Sequence, residues 1–260
     1  MPSIVMSIAG TSIAAFGAIF FGLQLTLYEF GFSRGQKRKS VSDQRESVGI
    51  IVGGMLGLLA FVLALTLSFA NDRFSDRREG TLLEANAIGT AWLRAKAIGS
   101  PTSEEIATKL AGYIDLRKRF VMAEIGNPSI NDINAKTAAL QMEIWALVST
   151  LVRERPDAIS ANLMTAINET FDAATSERFA FEFRLPNQVF WLLIGMTLVT
   201  MGCLGYQLGL IGRQGRILVA LLSLMWTVVI VDILDLASTR LGSFRIDASV
   251  YDQAISGSGT

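Results

Sequence analysis

Four apolar stretches dominate the pattern of hydrophobic and polar positions along the chain. They are Ile4–Tyr28, Val48–Ala70, Asn187–Ile211 and Ile217–Val231. A helix needs about 20 mostly apolar residues to cross the hydrocarbon core of a bilayer, and the first three stretches are long enough. The fourth stays apolar for only 15 residues before Asp232, so an interfacial helix is its alternative interpretation. The pattern predicts four membrane helices in two hairpins.

The segment between the second and third stretches is predicted to be helical throughout. Its apolar residues recur at helical spacing, and no strand-like alternation of useful length is present. No proline interrupts residues 47–100, so the second membrane helix is predicted to run past the bilayer and end at Pro101. Thr102 with Glu105 fits a capping box that would begin the next helix. The predicted fold is all-α, with a helical extramembrane bundle between membrane helices two and three.

These elements predict four parts of the chain. Residues 1–70 hold membrane helices one and two, 71–186 form the helical extramembrane domain, 187–237 hold membrane helices three and four, and 238–260 form a polar, loosely ordered tail. The first stretch is predicted to be retained as an anchor, because no basic segment precedes it and it exceeds the apolar length of a signal peptide.

Basic residues in the two short hairpin loops predict the orientation. The loops contain Arg34, Lys37, Arg38, Lys39 and Arg45 in the first and Arg213 and Arg216 in the second. Such residues favour the cytoplasmic side, which would place the termini and the central domain outside the cytoplasm. Five arginines also flank the membrane on the opposite side, so the charge difference is small.

Small residues recur every four positions on the membrane helices. In the second stretch they are Gly49, Gly53 and Gly57, and the third carries glycines at 202, 205, 209 and 212. Such a stripe lies on one helix face and lets two backbones approach closely in lipid. It predicts a tight bundle, either within one chain or between chains.

Composition narrows the possible functions. The chain is 51% hydrophobic and 18% charged with a net charge of zero, so there is no basic excess to bind a nucleic acid. It has no histidine, the commonest metal ligand and proton shuttle, and no catalytic or phosphate-binding motif. The lone Cys203 is predicted to be a small side chain within an apolar helix. We therefore predict no enzyme activity, no metal and no cofactor.

Charged residues cluster immediately after the second apolar stretch, at 72–79. On a helix, residues four apart there carry like charges, which is mildly destabilising, so partners on other elements are expected. The candidates are Asp232 and Asp235, acidic lipid headgroups or a neighbouring subunit. The two aspartates lie at the end of the fourth stretch, where they either pair inside the membrane or end the helix among the headgroups. The basic members of the cluster are Arg73, Arg77 and Arg78.

Two segments resemble a bacterial family of membrane proteins called bestrophin-like. They are GLLAFVLALTLSFANDRFSDRREGTLLEANAIGTAWLRA at 57–95 and VVIVDILDLASTRLGSFRID at 228–247. The more specific part is the E-A-N-A-I-G-T-x-x-x-R pattern from Glu84 to Arg94, whose Glu84, Asn86 and Arg94 are candidates for a charge network. The family often has D-L-D-R-P near the end, whereas here Asp232 and Asp235 lack the Arg-Pro.

The resemblance implies kinship with bestrophins, pentameric anion channels with an aliphatic and aromatic neck on the second membrane helix. It makes Val62, Thr66 and Phe69 candidates for a constriction, with ordinary packing or lipid contact as the alternative. The expected protein is a homo-oligomeric anion channel or related pore in a bacterial inner membrane, in contact with lipids and small anions. In this hypothesis Arg73, Arg77 and Arg78 attract anions near the mouth. A non-conducting scaffold or sensor that binds a protein or lipid partner is the other hypothesis.

Overall fold

The computed structural model describes residues 13–38, 42–123, 129–182, 186–238 and 244–256. Of these residues, 91% are helical and none lies in a strand. The helices are α1 (Ile13–Gln36), α2 (Ser42–Ile98), α3 (Pro101–Met122), α4 (Ser129–Glu154), α5 (Ala158–Glu182), α6 (Asn187–Ile211), α7 (Arg216–Ala237) and α8 (Val250–Ser256).

The predicted all-α fold with four membrane helices is confirmed. Helices α1, α2, α6 and α7 lie in the four segments that are long and apolar enough to cross a membrane. Helix α7 has 22 residues, so the fourth stretch is longer than its apolar run indicated. Helix α2 has 57 residues; at 1.5 Å per residue it spans about 86 Å, almost three times a hydrocarbon core of about 30 Å.

The chain forms two compact units. The first comprises Met1–Asp72 and Arg184–Ser243, and the second comprises Arg73–Phe183 and Phe244–Thr260. Within the described residues, the first unit therefore contains the membrane helices α1, α6 and α7 with the first part of α2. The second contains the rest of α2 with α3, α4, α5 and α8.

In the first unit, α1 and α6 pack backbone against backbone. A side chain on Gly205 would overlap the carbonyl oxygen of Tyr28, and one on Gly31 would overlap that of Gly202. Gly35 and Gly209 make the same kind of contact further along. Gly205 and Gly209 thus make the predicted close approach, whereas Gly212 has nothing within 4 Å. Their partners on α1 are Tyr28 and residues that follow it, where the sequence pattern had ended the first stretch.

The predicted glycine stripe on α2 makes fewer contacts. A Cβ on Gly49 would lie 2.9 Å from the Gln207 side-chain nitrogen, whereas Gly53 and Gly57 have nothing within 4 Å. Contact between chains therefore stays a prediction for these two glycines.

Buried polar groups join α1 to α7 inside the first unit. The Gln24 amide donates a hydrogen bond to the Thr227 hydroxyl at 2.8 Å, and the Ser223 hydroxyl donates to the Gln24 carbonyl oxygen at 3.0 Å. All three side chains are buried. Such bonds contribute to helix association in lipid, where polar groups have no water to bind.

The core of the second unit is built on one face of α2. Ala85, Ile88, Ala91 and Ala95 recur at helical spacing and are at most 1% exposed. The short side chains of the three alanines let the longer apolar residues of α3, α4 and α5 pack closely against α2. The other core side chains include Ile106, Leu110, Tyr113, Phe120, Ile144, Val148, Leu151, Leu163, Ile167 and Phe181.

The junction between α2 and α3 differs from the prediction. The capping box is formed by Ser100 and Ser103, so the predicted pair of Thr102 and Glu105 is wrong. The Ser103 amide donates to the Ser100 hydroxyl at 3.2 Å, and the Ser100 amide donates to the Ser103 hydroxyl at 2.9 Å. Gly99 takes a left-handed φ of 68°, which ends α2, and the fixed φ of Pro101 suits the first position of the next helix.

The prediction of a loosely ordered tail is wrong for residues 244–256. This segment packs on the second unit, where Tyr251 is fully buried and Ala248 is 6% exposed. A Cβ on Gly89 would lie 2.7 Å from the Ala254 carbonyl oxygen, so α8 lies directly against the backbone of α2. The last four residues lie outside the described residues.

We predict that Gly205→Ala destabilises the protein by about 1–3 kcal/mol or more, because its methyl group would force α1 and α6 apart. The measurement is thermal unfolding in detergent. The matched control is Gly195→Ala on the same helix, where nothing lies within 4 Å of the added Cβ. Equal melting temperatures for both variants would contradict the backbone contact.

Candidate functional site

A buried charge cluster lies at the centre of the second unit. It contains Glu84 of α2, Arg117 of α3, Glu177 of α5 and Tyr251 of α8, each at most 2% exposed. The Arg117 guanidinium donates to both Glu84 oxygens, at 2.5 Å from Nε and 3.1 Å from Nη2, and Nη2 also donates to Glu177 Oε2 at 2.6 Å. One arginine therefore links two carboxylates from different helices.

Two hydroxyl groups complete the cluster. The Tyr251 hydroxyl lies 2.8 Å from Glu84 Oε2 and 3.1 Å from Glu177 Oε2. The Thr81 hydroxyl lies 2.5 Å from Glu177 Oε1. Because a tyrosine hydroxyl has a single proton, it can donate to only one of the two carboxylates. The other carboxylate then faces the phenol oxygen, an arrangement that a proton on that carboxylate stabilises.

The cluster favours one shared proton. Burial, followed by the hydrogen bond with Glu177, raises the pKa of Glu84 to about 8. Arg117 remains charged, since a guanidinium does not lose its proton in proteins. One proton on the carboxylate pair leaves one negative charge against one positive charge. The cluster is then neutral, as a site removed from water requires.

The E-A-N-A-I-G-T-x-x-x-R pattern from Glu84 to Arg94 identified one member of this cluster. Glu84 lies in it, whereas Asn86 and Arg94 are exposed. Arg94 instead donates from Nη1 to the Asn162 carbonyl oxygen at 2.7 Å. Two positions of the pattern contact the C-terminal helix α8. Gly89 lies against its backbone, and Glu84 binds the Tyr251 hydroxyl.

Arg117, Glu177 and Tyr251 were missed by sequence reasoning. Their signal was weak but present, because Arg117 falls between Tyr113 and Phe120 on the apolar face of α3. A charged residue on a core-facing position indicates a buried partner. Its partner Glu177 is 60 residues away in the chain, and no local pattern identifies it.

The predicted arginines differ in exposure. Arg77 is buried with its guanidinium 6.0 Å from the centre of the Phe74 ring. Arg73 is half-buried and lies 3.6 Å from Asp76 in an ion pair three residues apart, and Arg78 is exposed. In the first unit, Asp235 is buried and Asp232 is half-buried in the last turns of α7. Pairing of the arginines with these aspartates stays a prediction.

The second feature of functional interest is an exposed apolar face of α2 in the first unit. Leu58, Phe61, Leu65 and Phe69 are between 38% and 60% exposed and lie on one side of the helix. Of the predicted constriction residues, Phe69 lies on this face and Val62 is half-buried. Thr66 is buried and donates its hydroxyl to the Val62 carbonyl oxygen at 2.7 Å.

No group of three or more acidic, histidine or cysteine side chains that could hold a metal occurs within the described ranges.

The fold matches that of a known membrane protein. A crystal structure of a bacterial bestrophin homolog from Klebsiella pneumoniae, a tryptophan-to-alanine variant, superposes with a TM-score of 0.68 over 94% of this chain and 95% of that chain. The two sequences are 11% identical, so the comparison establishes a bestrophin-like fold. No protein-family model and no curated protein sequence matches the chain.

We predict that Tyr251→Phe destabilises the docked α8 by about 1–3 kcal/mol, because buried carboxylate oxygens lose a hydrogen-bond partner. Hydrogen exchange of residues 250–255 should become faster, and the melting temperature should fall. The control is Lys96→Ala, which removes an exposed ion pair with Glu104 and should change little. Unchanged exchange in α8 would contradict the role of the phenol.

The raised pKa of Glu84 predicts a pH dependence of stability. An unfolded glutamate titrates near 4.3, so between about pH 4.5 and 8 the folded protein holds a proton that the unfolded chain has released. The free energy of unfolding should therefore fall as pH rises through this window, by at most about 1.4 kcal/mol per pH unit. Above about pH 8 this contribution is lost and the profile flattens.

Glu84→Gln mimics the protonated side chain and should flatten the profile between pH 5 and 8. Thermal unfolding in detergent across this range is the measurement, and Glu105→Gln at an exposed position is the control. If Glu84→Gln keeps the slope of the unchanged protein, the shared proton is not held at this carboxylate.

Proposed function

We propose that several copies of this chain assemble in the membrane into an ion-conducting pore lined by the exposed face of α2. The observation that carries the proposal is the composition of this face along the helix. The opposite face of α2 is buried within the chain at Val52, Leu59, Leu63, Thr66 and Ala70. The exposed face is therefore the one available to line a path between subunits.

Contact with lipid alone does not account for this face, because an acidic residue ends it. At 100° per residue, Asp72 lies about 20° from Leu65 around the axis of α2 within the first unit. Asp72 is exposed. A lipid-facing surface would lack this carboxylate, whereas a pore that passes from a dry constriction into water accommodates it.

The apolar part of the face supports a constriction. Leu58, Phe61, Leu65 and Phe69 follow one another at three- or four-residue spacing, as side chains that form successive rings in a symmetric assembly would. Hydrophobic rings gate pores by excluding water. The proposal keeps Phe69 as a constriction residue and replaces Val62 and Thr66, which the chain itself covers, with Phe61 and Leu65.

The charge on the face favours cations. The charged residue on the exposed face in the first unit is the acidic Asp72. Burial of Arg77 also removes it from solvent, so the anion hypothesis that depended on these arginines has little support. Rings of aspartate or glutamate are the usual selectivity device of cation pores. We therefore propose that the conducted ions are small cations.

The test is reconstitution of the full chain into liposomes and planar bilayers. The unchanged protein should conduct, and its reversal potential in a salt gradient should report cation preference. Asp72→Asn should lower the ratio of cation to anion permeability severalfold, since it removes one charge per subunit from the mouth. Arg78→Gln is the control, which removes one exposed charge from α2 in the second unit, and should leave the ratio unchanged.

Other outcomes distinguish the remaining hypotheses. A chloride-selective current would overturn the ion assignment but keep the pore. A monomer in mild detergent with no flux would overturn the pore and favour the scaffold or sensor.

The bacterial inner membrane and the non-cytoplasmic side for the second unit stay predictions. The ion pair of Arg216 with Glu29, 2.8 Å apart, reduces the basic excess on which the orientation depends.

A further inference from the structure

A polar cavity of about 70 Å³ lies in the second unit between α3, α4 and α5. Arg117 lines it from α3, Asn134, Thr137 and Gln141 line it from α4, and Arg178 lines it from α5. Arg117 and Thr137 are buried, Asn134 and Gln141 are half-buried, and Arg178 is exposed. The cavity thus leads from solvent to the guanidinium of the charge cluster.

The polar lining interrupts the core face of α4. Ile133, Ile144, Val148 and Leu151 are buried at helical spacing on this face. Between them, at the level of the cavity, the same side carries Thr137 and Gln141. The Gln141 amide donates to the Tyr113 hydroxyl at 2.9 Å, and its nitrogen carries a second N–H.

Arg117 has donors left over for this cavity. A guanidinium carries five N–H groups, and Nε and Nη2 supply the three hydrogen bonds to Glu84 and Glu177. The two N–H groups of Nη1 have no hydrogen-bond partner among the described residues. A buried cation with two unused donors, in a cavity that it lines, is the group that an anion requires.

We propose that this cavity binds one small monovalent anion on Nη1 of Arg117, with Arg178 near its mouth. A water molecule occupies about 30 Å³ in the liquid, so the volume accommodates an ion the size of chloride or nitrate. Larger anions such as gluconate do not fit. The proposal concerns the second unit alone and does not rest on the pore.

Protonation of the charge cluster should strengthen binding of the anion. The charged or titratable groups around Arg117 are Glu84 from α2, Glu177 and Arg178 from α5, Tyr251 from α8 and Tyr113 from α3 itself. With one shared proton the two carboxylates balance Arg117, whereas without it they add a negative charge that repels the anion. Binding should therefore be tighter at pH 6 than at pH 9.

The test is thermal unfolding of the full chain in detergent, titrated with sodium chloride or nitrate against sodium gluconate at constant ionic strength. We expect a saturable rise of about 2–4 °C with chloride or nitrate at several times the dissociation constant. Sodium gluconate defines the baseline. The rise should be smaller at pH 9.

Ala138→Leu places a larger side chain in the cavity lining without changing any charge, and should abolish the rise. Ala139→Leu is the matched control, exposed on the same helix and outside the lining. A rise that is absent, fails to saturate, or persists in Ala138→Leu as in Ala139→Leu would overturn the anion site. Because no flux is measured, a failed pore and a failed anion site give separate results.

Discussion

The second unit depends on a single guanidinium. Arg117 of α3 binds Glu84 of α2 and Glu177 of α5. The Tyr251 hydroxyl of α8 lies within hydrogen-bond distance of both carboxylates. Burying an arginine is costly unless its charge is matched and its donors are used. Two carboxylates with one proton satisfy the charge, and they come from the helices that must be held together. The register of these helices is therefore set by a polar contact within a largely apolar core.

Helix α2 carries both Glu84 of the buried charge cluster and the exposed face proposed to line the pore. In the second unit its buried side carries Glu84 and small core residues, and in the first unit its buried side carries larger apolar residues. On its exposed side in the first unit, Leu58, Phe61 and Leu65 are more than half exposed. A subunit built around such a helix offers the same surface in every copy, which is what a symmetric oligomer needs to form a central path.

Sequence periodicity predicted the helices well because each long helix repeats its apolar face many times. It failed where the signal is short or distant. Helix α8 has seven residues, too few for a periodic pattern, and its anchor Tyr251 contacts Glu84 across 167 positions. The motif around Glu84 marked the cluster, but its partners on α3 and α5 depend on tertiary packing. Likewise Gly31 and Gly35 became recognisable only against α6, because a glycine has no side chain to form a pattern.

The two units solve the same packing problem in different solvents. In lipid there is no hydrophobic drive between apolar helices, and the first unit relies on close backbone contact at Gly31 and Gly205 with a buried hydrogen bond at Gln24. In water, burial of apolar area is the main drive, and α3, α4 and α5 present large side chains to the alanines of α2. The buried cluster then adds specificity where burial alone would allow helices to slide. Two carboxylates that share one proton can specify this register and still respond to pH, which an apolar contact cannot do.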